Sequence, residues 1–318
     1  MALAVWVGCS GPTASADVPL HWVPLLHLPG VVDLSVPRHD GSLTVAAGGQ
    51  LFLLQPSGTL GAFARGPAGY VTDPGAEAYL AVARRRRVPG AHCAFHRDEV
   101  YALEVTPPGV VVVDPSGQAR PFVSLPAGTF PNGITFDDVG RFGRRLLVTA
   151  GVEGTTNLYA IDCQGRIRTV AERAPRAEGG MAVAPRSFGR YAGQLIAPDE
   201  IGGGIVAIDA RGRSGMVVDS GLPSGGDIGV ESVGFVPPRF GVRGMALLAD
   251  RGTPGNPHPG TDSILALPGG ALVEAGVRPG DLLVATEGGA DTIAVRCRHA
   301  CTVRRVADGP AVAHAEGH

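Results

Sequence analysis

Pro131-Asn-Gly-Ile-Thr-Phe-Asp-Asp-Val-Gly-Arg-Phe-Gly-Arg-Arg-Leu-Leu-Val-Thr-Ala150, continued by Asn157-Leu-Tyr-Ala-Ile-Asp-Cys-Gln-Gly-Arg-Ile-Arg-Thr-Val170, reads as four short β-strands in about 40 residues. The strands fall at Gly133–Phe136, Leu146–Thr149, Leu158–Ile161 and Ile167–Val170. The last two pair around the hairpin signal Asp162-Cys163-Gln164-Gly165. Unit length, strand number and glycine-rich turns are those of a propeller blade.

Partial copies of the unit run along the chain. Its outer hairpin returns at Gln50–Gly58, Gly109–Gly117 and Gly204–Gly212, more loosely at Asp262–Gly270, and as Asp291–Cys297 with Cys301–Val306. Its opening returns as Glu178-Gly-Gly-Met, Glu231-Ser-Val-Gly, Glu77-Ala-Tyr-Leu and Glu316-Gly-His318. A β-sandwich also has many short strands but no fixed period. The expected fold is therefore all-β, a six-bladed propeller with five blades as the alternative, its ring closed by the C-terminal strand. The first four blades fall at 18–65, 66–124, 131–170 and 178–219. A fifth takes Val233–Val236, Met245–Leu248 and Ile264–Leu267; a sixth takes Leu282–Ala285, 291–297 and 301–306, completed by Ala311–His318.

Composition agrees. Glycine (48) and proline (27) supply the turns of an all-β chain, and 44% hydrophobic residues supply a core. A net charge of −2 predicts no global field toward nucleic acid or an anionic membrane. All 27 basic residues are arginine, which reads as gene composition rather than function. Arg84–Arg87 reads as a solvated loop, with an anion-binding patch as the alternative. No apolar run approaches the roughly 18 residues of a membrane span.

Residues 1–17 read separately from the propeller at 18–318. The apolar Met1–Cys9 resembles the tail of a bacterial lipoprotein signal, with Cys9 as the lipid-bearing residue and Ser10–Asp17 as a tether. The expectation is an exported protein, secreted or held at the cell surface, attached to membrane only through that lipid. Four cysteines then remain, an even count suited to an oxidising compartment. Cys297 and Cys301 flank a hairpin tip and can bridge across it, and Cys93 and Cys163 can bridge neighbouring blades. A lone Cys-x3-Cys pair is a poor zinc signal.

In a propeller the residue opening each innermost strand faces the channel mouth. Aligned repeats place Glu77, Asn132, Gly179, Glu231 and Glu316 there. Converging carboxylates repel unless they share protons or bind a cation, and oxygen donors favour calcium. Glu77, Asn132, Glu231 and Glu316 are thus the candidate metal ligands. A second set follows the second strands: Glu200, Asp250 and Glu287, joined by His258 and Asp262 from the loop 250–262. These form a candidate ligand pocket, or alternatively brace turns. No serine elbow, H-E-x-x-H or dinucleotide fingerprint occurs.

Pro131-Asn-Gly-Ile-Thr-Phe and Asn157-Leu-Tyr-Ala-Ile-Asp resemble repeats of the gluconolactonase/regucalcin and strictosidine-synthase-like six-bladed propellers, and are similar to NHL repeats. The resemblance covers roughly residues 30–318 and implies one divalent metal held in the channel, with Asn132 at an Asn-Gly ligand position. The aspartate of that group's Pro-Asp-Gly motif falls on Gly179. Two readings stand: a small-ligand or divalent-cation binding module meeting an unidentified small molecule, glycan or protein, and a metal-dependent lactonase or ester hydrolase. No organic cofactor and no nucleic acid partner are expected.

Overall fold

The computed structural model describes residues 19–64 and 77–316. Two short strands come first, β1 (Leu20–His21) and β2 (Val23–His27). Blade one is β3 (Val31–Leu34), β4 (Leu43–Ala47), β5 (Gln50–Leu54) and β6 (Leu60–Ala64). Blade two is β7 (Leu80–Val82), interrupted by the hairpin β8 (Arg86–Val88) and β9 (Cys93–Phe95), then β10 (Val100–Glu104), β11 (Gly109–Val113) and β12 (Ala119–Ser124). Blade three is β13 (Phe130–Phe136), β14 (Leu146–Val152), β15 (Thr155–Ile161) and β16 (Ile167–Ala174). Blade four is β17 (Ala182–Val183), β18 (Leu195–Asp199), β19 (Gly204–Ile208) and β20 (Ser214–Asp219).

Beyond blade four the pairing departs from the expected order. β21 (Val230–Phe235) is followed by β22 (Met245–Asp250), β23 (Ser263–Pro268) and helix α1 (Gly269–Glu274). The last strands are β24 (Leu282–Thr286), β25 (Thr292–Cys297), β26 (Cys301–Asp308) and β27 (Ala315–Glu316). β21 pairs with β24, not with β22, so blade five is β21-β24-β25-β26 with β1 on its outer edge. The β22–β23 hairpin steps sideways into blade six, between innermost β27 and outermost β2. Pro237-Pro238 lies just after β21, where the missing N–H groups stop the chain from folding straight back as a hairpin. The ring closes through the C-terminal strand. Residues 20–27, expected in blade one, supply outer strands of blades five and six instead.

Among the described residues six hydrophobic clusters hold the ring, one between each pair of adjacent blades. β14 shows how. Leu146, Val148 and Ala150 pack toward blade two, while Leu147, on the other face of the same strand, packs toward blade four. Middle strands are buried on both faces, which is why they read as unbroken apolar runs such as Gly109–Val113 and Gly204–Ile208 rather than as alternating patterns. Both anticipated disulfides are present. Cys93–Cys163 ties the blade-two hairpin to blade three, and Cys297–Cys301 closes the β25–β26 tip.

Antiparallel order sorts the loops onto two faces. Innermost strands start at the channel mouth, so the turns into the second strands gather on the opposite face. Adjacent blades meet there through His39 and Asp98, through Arg86 Nη2 and Asp138 Oδ1 at 2.8 Å, and through Cys93–Cys163. The same loops expose Arg84, Arg85 and Arg87 in blade two, Arg141 and Arg144 in blade three, Arg186 and Arg190 in blade four, and Arg239 and Arg243 after β21.

Candidate functional site

The mouth of the channel is built at strand ends. Glu77 and Tyr79 precede β7, Glu178 precedes β17, and Glu231 lies in β21. Glu200 follows β18, Arg251 follows β22, Glu287 follows β24, and His314 and Glu316 flank and occupy β27. Backbone hydrogen bonds set these positions. Arg251 N–H donates to His314 O (2.8 Å), Ala315 N–H to Glu287 O (2.8 Å), and Gly180 N–H to Glu231 O (2.9 Å).

Tyr79 Oη is 2.7 Å from Glu231 Oε1 and 2.8 Å from Glu316 Oε2, all three side chains being buried. The phenol has one proton and can donate to one carboxylate only, so the other carboxyl must carry a proton and donate to the phenol oxygen. Electrostatics assigns it. Burial, then the Glu316 charge, push Glu231 well above the usual carboxylate range. Burial also acts to raise Glu316, but the His314 hydrogen bond and the Arg251 charge outweigh it and hold it below its usual value. Glu231 is the protonated partner and Glu316 the carboxylate.

Arg251 Nη1 reaches Glu316 Oε1 at 3.2 Å and Glu77 Oε1 at 3.5 Å. His314 Nε2 lies 2.8 Å from Glu287 Oε1 and 3.5 Å from Glu316 Oε1. Burial opposes a charge on His314, but its bonds to Glu287 and Glu316 prevail and raise it to about 10, so it is an imidazolium at neutral pH. Glu287 also hydrogen-bonds Glu200, whose carboxyl is pushed up to about 8 by burial and then by Glu287. Glu77 is likewise raised to about 8, by the Glu316 charge and then by burial, against the pull of Arg251. Burial raises Glu178. Six carboxyl groups thus gather around Arg251 and His314, with Arg176 Nη2 3.4 Å from Glu178 Oε2 at the edge of the cluster.

Gly179 is a steric requirement of this arrangement. Its φ is +73°, and a Cβ there would meet the Glu231 backbone oxygen and Oε1 at 2.2 Å. The glycine at the position where the resembling group has aspartate makes room for the Glu231 carboxyl.

The proposed metal set is therefore divided. Glu231 and Glu316 meet through Tyr79, and Glu77 joins them through Arg251. Asn132 occupies the same register position as Glu231, each the unpaired residue of a bulge near its strand start. Its Nδ2 donates instead to Ala177 O at 3.0 Å, and it hydrogen-bonds to none of these carboxyls among the described residues. That donor bond fixes the amide orientation and leaves Oδ1 buried without a partner. Asn132 lines a cavity of about 360 Å³ with Phe130, Thr155, Arg176 and Glu178, so Glu178 borders both cavity and carboxylates.

The second set also divides. Glu200 and Glu287 are in the cluster. Asp250 is buried and accepts the N–H groups of Thr261 (3.0 Å) and His314 (2.7 Å), and Asp262 accepts those of Gly30 (2.8 Å) and Gly252 (2.9 Å). His258 Nδ1 bonds Ala311 O at 2.8 Å. These three brace the loop 251–262. Tyr79, Glu178, Arg251 and His314 were not among the sequence candidates. Glu178 sits in the quoted Glu-Gly-Gly repeat, and Tyr79 lies two residues after Glu77, so the repeat alignment carried a signal for both. Nothing local marks Arg251 or His314.

Glu287, His314 and Glu316 offer donor atoms all within 4.8 Å of one another, and all three residues are buried. With His314 protonated, the remaining donors are carboxylate oxygens, which suit a hard cation.

No protein-family model matches the chain, and no curated protein matches it. Solved structures do. A regucalcin from Agrobacterium tumefaciens, described as a calcium-binding protein, superposes with a TM-score of 0.51 at 11% identity, covering 91% of this chain and 78% of its own. A luciferin-regenerating enzyme gives 0.50 at 10% identity, covering 89% and 78%. Virginiamycin B lyase from Staphylococcus aureus gives 0.49 at 10%, covering 90% and 73%. At such identities the likeness is one of fold, and the chain is a six-bladed β-propeller.

Proposed function

We propose that this propeller is an exported binding module that takes a divalent cation, calcium by donor chemistry, into its carboxylate-lined mouth, beside a small polar ligand in the Asn132–Glu178 cavity. The observation that carries the reading is proton sharing. Glu231–Tyr79–Glu316 and Glu200–Glu287 each need a proton between their acidic groups. Such protons are what a cation replaces when it binds crowded carboxylates. Glu287, Glu316, Glu77 and Glu200 would hold the ion. Asn132, Arg176 and Glu178 line the cavity that this ligand would occupy. The two disulfides support an oxidising compartment. Cys9 lies outside the described residues, and fatty-acid labelling of wild type against Cys9→Ser tests its lipidation.

Calorimetric titration with calcium, and separately with zinc, tests the site. The expected result is stoichiometric calcium binding with proton release at pH 7, lost in Glu287→Gln. Zinc in preference to calcium would reassign the site to His314 with its proton removed. No uptake of either metal would overturn the cation reading.

A second reading, a metal-dependent lactonase or ester hydrolase, is favoured by Glu77 and Glu200, whose carboxyls titrate near 8 and can exchange protons at neutral pH. Its test is calcium-dependent hydrolysis across a panel of lactones and esters. Turnover that survives both chelator and Glu200→Gln would exclude these groups.

A further inference from the structure

The arginines that composition left without meaning are not scattered. A net charge near zero is a sum and says nothing about direction. The fold brings Glu77, Glu178, Glu200, Glu231, Glu287 and Glu316 to one end of the ring. It carries the exposed arginines of the turns between first and second strands to the other, at least two from each of blades two, three and four and two more after β21. The acids of that face are largely taken up locally: Asp162 pairs with Arg166, Asp209 with Arg213, and Asp138 with Arg84 and Arg86, whereas Arg85, Arg87, Arg239 and Arg243 make no ion pair among the described residues. Apolar side chains stand among them, with Val242 71% exposed beside Arg243, Met245 50% and Val36 51%.

We propose that the face opposite the acidic mouth docks onto a membrane surface rich in anionic phospholipid headgroups. The distribution decides the partner. A linear polyanion needs basic groups along one line, and would touch one or two of these loops at a time. The arginines instead ring the face over several blades, so only an extended anionic plane meets them together. Exposed Val36, Val242 and Met245 at the same end suit shallow insertion among headgroups, which a soluble polyanion would not reward. Docking in this pose leaves the mouth facing solution, open to its ligand.

The test is co-sedimentation of the full chain with vesicles of phosphatidylcholine alone and with about 30 mol % phosphatidylglycerol, at about 0.05 and 0.3 M salt. The expected result is binding that requires phosphatidylglycerol, weakens with salt, and falls at least about tenfold in the double variant Arg239→Glu/Arg243→Glu. The control Arg168→Glu/Arg173→Glu makes the same charge change on the outer strand of blade three and should leave partition unchanged. Val242→Ser should weaken partition without changing its salt dependence, and matched thermal midpoints establish that all variants are folded. Equal losses in both double variants, or indifference to phosphatidylglycerol, would overturn the proposal. Stronger retention on heparin than on vesicles, lost in the same variant, would also overturn it and assign the face to a linear polyanion.

Discussion

Blades three and six occupy equivalent places in the ring and are made in opposite ways. Blade three is one continuous run from Phe130 to Ala174, each strand hairpinned to the next. Blade six collects β2, the β22–β23 hairpin and β27 from three distant parts of the chain. Its innermost strand is two residues long, paired to β22 only at Ala249–Glu316 and Asp250–Ala315. What a short ladder lacks, side chains supply. Arg251, Tyr79, Glu287 and Asp250 all bond to His314 or Glu316. Blade three is held mainly by apolar packing, its ion pairs lying at its turns, whereas in blade six ring closure and the candidate site are one structure. A ligand of the mouth should therefore stabilise the closure, and damage to the closure should destroy the mouth.

The sharpest break would come from deleting residues 311–318. Loss of β27 opens the ring and strips Tyr79, Arg251 and Glu287 of their bonds to Glu316 and His314, and breaking a buried ion pair alone costs about 3–5 kcal/mol. Hydrogen exchange should then rise across blades five and six while β14 and β15 of blade three stay protected. Uniform loss of protection would contradict the division between the two blades. Next in size, Leu158→Ala in the buried interface of blades three and four should cost about 2–5 kcal/mol in denaturant unfolding and leave calcium binding at the mouth intact.

A smaller effect is expected from Tyr79→Phe. It removes the hydroxyl between Glu231 and Glu316 while keeping the ring, at a cost of about 1–3 kcal/mol. Added calcium should recover part of the loss, whereas Leu158→Ala gains from calcium only what the wild type gains. The gentlest probe is pH. Glu77 and Glu200 are raised from 4.5 to about 8, so the folded state holds extra protons between those values, and their stabilising contribution fades as pH rises through 8. His314, raised from 6.5 to about 10, acts in the same sense at higher pH. In blade three Asp162 goes the other way. Burial tends to raise it, but the Arg166 hydrogen bond prevails and lowers it, so its contribution is kept above 3.8 and lost only in acid. Between pH 5 and 9 the thermal midpoint should fall, with exchange rising first in blade six. Calcium should flatten the slope by replacing the protons. A midpoint that climbs over this range would refute the shared-proton account.

Much of this was legible because it is local. Four strands per unit follow from turn residues at fixed offsets, and two-sided burial follows from apolar runs such as Val110–Val113. Glu231 and Glu316 were found by register alone, since residues opening equivalent strands must approach the same axis. Register misled for Asn132, because whether a bulged residue turns inward or toward Ala177 O depends on the neighbouring blade. Asp250 and Asp262 look like site carboxylates in sequence and are loop braces in space, because a carboxylate that accepts backbone N–H groups carries no mark of it in the primary sequence.

By itself the sequence determined the repeat, the all-β class, a propeller of six or five blades and the acid-rich openings of the innermost strands, all set by local periodicity. Only the tertiary structure decided that β22 and β23 leave β21 for blade six, since a hairpin alternates in the same way whichever neighbour it joins. It alone gathered Tyr79, Arg251 and His314 around the carboxyls, residues whose meeting depends on closing a ring through both ends of the chain. It also gave direction to the charge. The same arginines and glutamates that sum almost to zero along the sequence are carried to opposite faces of the ring, because antiparallel strands send alternate turns to opposite ends.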